Sequence, residues 1–153
     1  MPLVLALLIG VVAGLRAMTA PAVVSWGARL GKLSLGSTSL AFLGYAYTPW
    51  IFSVLAIAEL ITDQLPSTPS RTVPVQFGTR LLVGALCGGA IGTSDGSLAA
   101  RAVAGVVGAL IGTLGGRAVR GRLAAAFGND RPAAIIEDVV AIGGAILIVA
   151  MGR

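Results

Sequence analysis

Long apolar runs, broken by charges only at wide intervals, constrain this chain more than any other feature. From Leu98 to Val119, 22 residues carry two charges, Arg101 and Arg117. Crossing about 30 Å of hydrocarbon takes roughly 20 such residues as a helix. Inside hydrocarbon only helices or closed barrels satisfy their own backbone polar groups. With a mean hydropathy of +0.94 and 11% charged residues, the chain reads as an all-α integral membrane protein, a single polytopic transmembrane domain over residues 1–153.

Five apolar segments are expected, at about Pro2–Leu15 (continuing through Ala17–Leu30), Thr38–Leu65, Arg80–Thr93, Leu98–Val119 and Ala133–Met151. The first is interrupted at Arg16 to Pro21, because proline lacks a backbone donor and clashes with the preceding turn. Either one helix kinks there or Thr19 caps a second helix with Pro21 in its first turn. At about 1.5 Å per residue Pro2–Leu15 reaches only about 21 Å, so a broken or re-entrant first element is expected. Pro66, Pro69 and Pro74 predict non-helical backbone from about Leu65 to Val75. Met1–Leu15 lacks the basic start and small-residue cleavage site of a signal peptide and reads as a retained span.

The 22 glycines recur at helical spacing. Gly10 and Gly14, Gly84, Gly88 and Gly92, and Gly108, Gly112 and Gly116 each share a helix face, where missing side chains let another helix approach. A compact glycine-zipper bundle of about five transmembrane elements follows, with packing inside one subunit or between copies in a homo-oligomer both open. Two short echoes, Gly14-Leu15-Arg16-Ala17-Met18 with Gly115-Gly116-Arg117-Ala118-Val119 and Ala56-Ile57-Ala58-Glu59-Leu60-Ile61 with Ala134-Ile135-Ile136-Glu137-Asp138-Val139, fit an inverted repeat or chance equally well. Five crossings with the N-terminus inside put six basic residues on the cytoplasmic face and five, Arg16 among them, outside. That bias is weak, and a re-entrant first element reverses the count.

Several function classes are disfavoured. With no histidine and one cysteine, Cys87, there is no nucleophile–histidine pair and no His/Cys zinc site. Cys87 reads as a small buried side chain. The net charge of +5 is spread between apolar runs without aromatic interleaving, which favours lipid headgroups and loop orientation over nucleic acid. Nothing in the sequence names a cofactor.

The acids carry most of the functional signal, since ionisable groups within a membrane are costly. Glu59 and Asp63 lie one helical turn apart at the end of an apolar run. Five crossings would bring them to the same face as Arg71, Arg117, Arg120, Arg122, Glu137 and Asp138. That cluster is either a satisfied salt-bridge network or a binding and transport site. In the second case Arg16 and Arg117 would contact an anionic group while Glu59, Asp63 and Glu137 carry protons or cations. A divalent cation on Glu59 and Asp63 is a further alternative, and an anion held by the Ser/Thr/Arg71 loop another. Glu59 is expected to face the interior and to contact an arginine, Arg117, Arg120, Arg122 or Arg71.

The strings Gly14-Leu15-Arg16-Ala17-Met18-Thr19-Ala20-Pro21, Glu59-Leu60-Ile61-Thr62-Asp63-Gln64-Leu65-Pro66-Ser67-Thr68-Pro69-Ser70-Arg71-Thr72 and Asn129-Asp130-Arg131-Pro132-Ala133-Ala134-Ile135-Ile136-Glu137-Asp138 resemble a small bacterial membrane-protein family, domain of unknown function 4126. The resemblance implies a multi-pass protein of the bacterial inner membrane and supplies no catalytic residues. The leading expectation is a channel or secondary transporter for a small solute or ion, in contact with membrane lipids. The alternatives are a membrane scaffold binding a lipid, an apolar cofactor or a partner protein, and thirdly an enzyme acting on a lipid headgroup.

Overall fold

The computed structural model describes residues 1–65, 70, 72–92 and 97–152. The helices are α1 (Pro2–Leu15), α2 (Thr19–Arg29), α3 (Thr48–Thr62), α4 (Pro74–Ala90), α5 (Leu98–Phe127) and α6 (Asp130–Met151), with a 3-10 turn at Ala41–Gly44 and no strand among the described residues. Two helices, α5 and α6, are long and apolar enough to cross a membrane. The 14, 11, 15 and 17 residues of α1 to α4 correspond to about 21, 16, 22 and 26 Å.

Local chemistry explains the boundaries. Proline occupies the first turn of α1, α3 and α4, where a missing N–H costs nothing. The Ser97 side chain accepts from the Ala100 N–H at the start of α5, and Asn129 Oδ1 accepts from the Arg131 N–H at 3.1 Å to start α6. Between them Gly128 adopts φ +68, the left-handed conformation that glycine takes without steric cost. Between α1 and α2, Arg16 is extended at φ −138, ψ 108. Starting α2 at Thr19 leaves Pro21 in the first turn rather than mid-helix.

The glycine faces set the packing. A Cβ on Gly108 would lie 2.0 Å from the Leu7 carbonyl oxygen and one on Gly112 2.1 Å from that of Val11, so α1 runs parallel to α5 at backbone contact. Gly84 abuts Gly105 and Ala109 while Gly88 abuts Arg101 and Gly105, so α4 is antiparallel to α5. Gly10, Gly14, Gly84, Gly88, Gly108 and Gly112 therefore lie against neighbouring backbone. Gly116, only half-buried, lines an outward groove, and Gly92 departs from the expectation altogether. The α4 helix ends at Ala90, and Gly92 turns the chain at φ +68 over Pro2. Gly105, three residues before Gly108 on the same face, meets both α1 and α4.

The first element is a hairpin. Along α6, Glu137 lies by Arg16 and Val149 by Gly27, so α2 runs parallel to α6. Glu137 lies by Arg16, just past α1, and Gly144 by Val12, so α6 opposes α1. The α2 helix also opposes α3, with Glu59 at Ala17 and Ser53 at Trp26. All six helices thus alternate in direction. One end of the bundle gathers Pro2, Arg29, Ala90, Leu98 and Met151, and the other gathers Arg16, Thr62, Pro74 and Asp130. This corrects two sequence expectations. Arg16 lies at the same end as Asp63, not opposite it, and α1 and α5 are parallel, which removes the inverted relation between the first echo pair.

Candidate functional site: the charged tip of the α1–α2 hairpin

Where α1 gives way to α2, backbone groups lose their helical partners and side chains from other helices replace them. The Gly14 carbonyl accepts from Arg80 Nη1 at 2.7 Å and from the Thr113 hydroxyl at 3.3 Å. The N–H groups of Ala17 and Met18 each donate to one Glu59 carboxylate oxygen, both at 2.8 Å. Arg80 Nη2 stands 3.6 Å from that same carboxylate. Glu59 thus performs the capping that the sequence suggests for Thr19. Thr19 is instead the first residue of α2, with its hydroxyl buried and unbonded.

The guanidinium of Arg16 is fully enclosed, at 0% side-chain exposure. Its Nε donates to Asp138 Oδ1 at 2.6 Å, Nη1 pairs with Asp63, and Nη2 lies 3.6 Å from Glu137 Oε2. The Nη1 and Nη2 contacts are ionic, without aligned hydrogen bonds. Arg120 closes the cluster from α5. It donates through Nη1 to Glu137 at 3.2 Å, through Nη2 to the Asp63 carbonyl at 3.1 Å, and through Nε and Nη2 to Asp130 at 2.9 and 2.6 Å. Gln64 reaches Asp138 Oδ2 at 3.5 Å. A buried charge is tolerable only when paired in this way.

Of the sequence candidates, Arg16, Asp63, Glu137 and Asp138 converge directly, and Glu59 adjoins them through the hairpin turn. Glu59 is 13% exposed, and its arginine partner is Arg80, not Arg117, Arg120 or Arg122. Arg117 stays outside the cluster, donating to the Thr72 hydroxyl at 3.0 Å at the exposed end of α5, and Arg122 is exposed. Arg71, with Ser67 and Thr68 of the same loop, lies outside the described residues, while the Ser70 and Thr72 hydroxyls bond to each other at 2.9 Å. Glu59 and Asp63 turn to different protein partners, Glu59 to the Ala17 and Met18 amides and Asp63 to Arg16. Arg80 and Thr113 escaped sequence reading. Arg80 sits four residues before Gly84, on the face that α4 turns to the bundle, and a lone charge on a glycine-marked face is the signal that could have found it.

Beside the hairpin tip a cavity of about 310 Å³ opens between the end of α3 and the start of α4. Glu59, Thr62, Asp63, Gln76 and Thr79 give it polar walls, and Met18, Leu55 and Val75 apolar ones. Among the described residues no arginine lines it. Such a chamber offers carboxylate, hydroxyl and amide oxygens to a small solute and suits a cation or a hydrogen-bonding neutral molecule.

A family model described as domain of unknown function (DUF4126) matches residues 3–151. No curated protein and no solved structure matches the chain. The chain belongs to the DUF4126 family.

Proposed function

We propose that this DUF4126 protein is a multi-pass protein of the bacterial inner membrane that acts as a channel or secondary transporter for a small cation or cation-bearing solute. The observation that carries the reading is Arg16, which has no exposure yet sits at a break in a helical hairpin, ringed by three carboxylates. Irregular backbone at membrane depth is tolerated where protein buries it or a water-filled cavity adjoins it, and broken helices commonly build transport sites.

The surface supports membrane placement. Val103, Ile111, Leu114, Ile135, Val139, Ile146 and Leu147 are all more than half exposed, while Arg16, Arg80 and Glu137 are buried. Only 33% and 28% of the most apolar windows of α5 and α6 are buried, whereas a soluble protein would hide such faces. Tyr45, Tyr47 and Trp50 are exposed at the start of α3, as an aromatic belt at one headgroup layer would be. Measured from that belt, Asp63 lies about 22 Å along α3, and Glu137 lies about 21 Å from Met151 along α6. Within a core about 30 Å thick the charged tip then sits inside the far leaflet.

Alternating helices also bear on orientation. Among the described residues Arg16, Arg80, Arg117, Arg120, Arg122 and Arg131 belong to the hairpin-tip end, against Arg29, Lys32 and Arg101 at the other. The positive-inside rule then makes the tip end cytoplasmic. The test is flux into liposomes holding purified protein, with protons, alkali cations and small organic amines as candidates and empty vesicles as the blank. Flux that Glu59→Gln abolishes is expected. Absence of flux for every candidate, with the protein shown to be folded, contradicts the reading.

A further inference from the structure

A second opening, an apolar groove of about 320 Å³, runs between α5 and α6. Val11 and Leu15 of α1 form its floor, and Ile111, Val119, Ile136 and Val140 its sides. It stays open because of Gly115, whose added Cβ would meet nothing within 4 Å. From Ile111 to Leu123 the groove spans about 18 Å of helix, close to one leaflet of a hydrocarbon core about 30 Å thick. Its polar end is strongly basic. The segment 117–131 carries Arg117, Arg120, Arg122 and Arg131 against one acid, Asp130, and Glu137, the acid that lines the groove, is offset by Arg120 and Arg16. Arg120 closes the groove but is tied to Asp130 and Glu137. Arg122, seven residues beyond Gly115 and so on the same helix face, is exposed.

We infer that this groove is a binding site for one acyl chain of an anionic phospholipid of the cytoplasmic leaflet, with the headgroup phosphate at Arg122. The length matches one leaflet, the lining is apolar, and the charge complements a phosphate, so one amphiphile satisfies both ends. Basic pockets between membrane helices on the cytoplasmic side recognise anionic headgroups on this physical basis. The inference rests on the membrane placement proposed above and not on transport, so absence of flux would leave it standing.

The experiment is thermal unfolding of the full chain in mild detergent with added phosphatidylglycerol, against phosphatidylcholine of the same acyl chains and against inorganic phosphate. Phosphatidylglycerol is expected to raise Tm above phosphatidylcholine by about 2–4 °C for each arginine engaged, with phosphate alone giving no rise. Gly115→Leu, whose Cβ enters open space, puts a side chain into the groove and should remove the lipid-dependent rise. Gly143→Leu, also in open space but outside the groove, should keep it. Arg122→Gln should reduce the preference for the anionic lipid while leaving lipid-free Tm unchanged. Equal rises with both lipids, a rise with phosphate alone, or an unaltered rise in Gly115→Leu would overturn the inference.

Discussion

Changing Glu59 to alanine isolates the contribution of one side chain to the hairpin. The carboxylate accepts from the Ala17 and Met18 amides, and neither amide has a backbone acceptor among the described residues. A buried amide left unmatched costs about 1–3 kcal/mol, so two give roughly 2–6 kcal/mol. Glu59 borders the cavity, and water entering there would satisfy part of the loss, which puts the expected cost at about 2–4 kcal/mol. For a chain of this size each kcal/mol moves Tm by about 2–4 °C, so Glu59→Ala should melt roughly 4–16 °C lower. Asp130 is the comparison. It pairs with Arg120 but is 56% exposed, and exposed pairs contribute about 0–1 kcal/mol, a shift of at most about 4 °C. Differential scanning fluorimetry of both variants in one detergent reads the difference. Equal shifts would mean that the hairpin turn does not depend on Glu59, and the site as described would be wrong.

Arg16→Met keeps the volume but leaves Asp63, Glu137 and Asp138 facing one another. A loss of about 3–5 kcal/mol is expected, against no measurable change for exposed Arg117→Met, in the same melting assay. Gly105→Ala would set a methyl group 2.0 Å from the Gly84 carbonyl oxygen. Backbone on both sides cannot yield, so α4 and α5 must part at a cost of about 1–3 kcal/mol, whereas Gly115→Ala, in open space, should change Tm by less than the equivalent of about 0.5 kcal/mol.

Features that depend on nearby residues were readable from the sequence. Pro21 forces a helix start within a few residues, which locates the break between α1 and α2. The length of the apolar run beginning at Leu98 and the string beginning Asn129-Asp130 mark α5 and the start of α6. Glycines four apart mark packing faces, yet the spacing cannot distinguish Gly88 inside a helix from Gly92 just past its end. Side-chain partnerships across the chain were not readable. Glu59 meets Ala17 across 42 positions and Arg80 meets Gly14 across 66, and no local pattern encodes either. The missed hairpin had a larger effect. Once α2 returns beside α1, every later helix reverses relative to a five-crossing count, and Arg16 joins the acids instead of lying opposite them.

One-sided labelling of introduced cysteines tests the central claim that the hairpin tip and the Arg29 end lie at opposite membrane faces. Cys87 is fully buried and serves as an internal blank. Arg131→Cys, exposed at the start of α6 beyond the tip, should react with a membrane-impermeant thiol reagent only when the cytoplasmic face is open. Lys32→Cys, exposed beyond α2, should react only from the opposite face. Labelling of both positions from the same face would contradict the account.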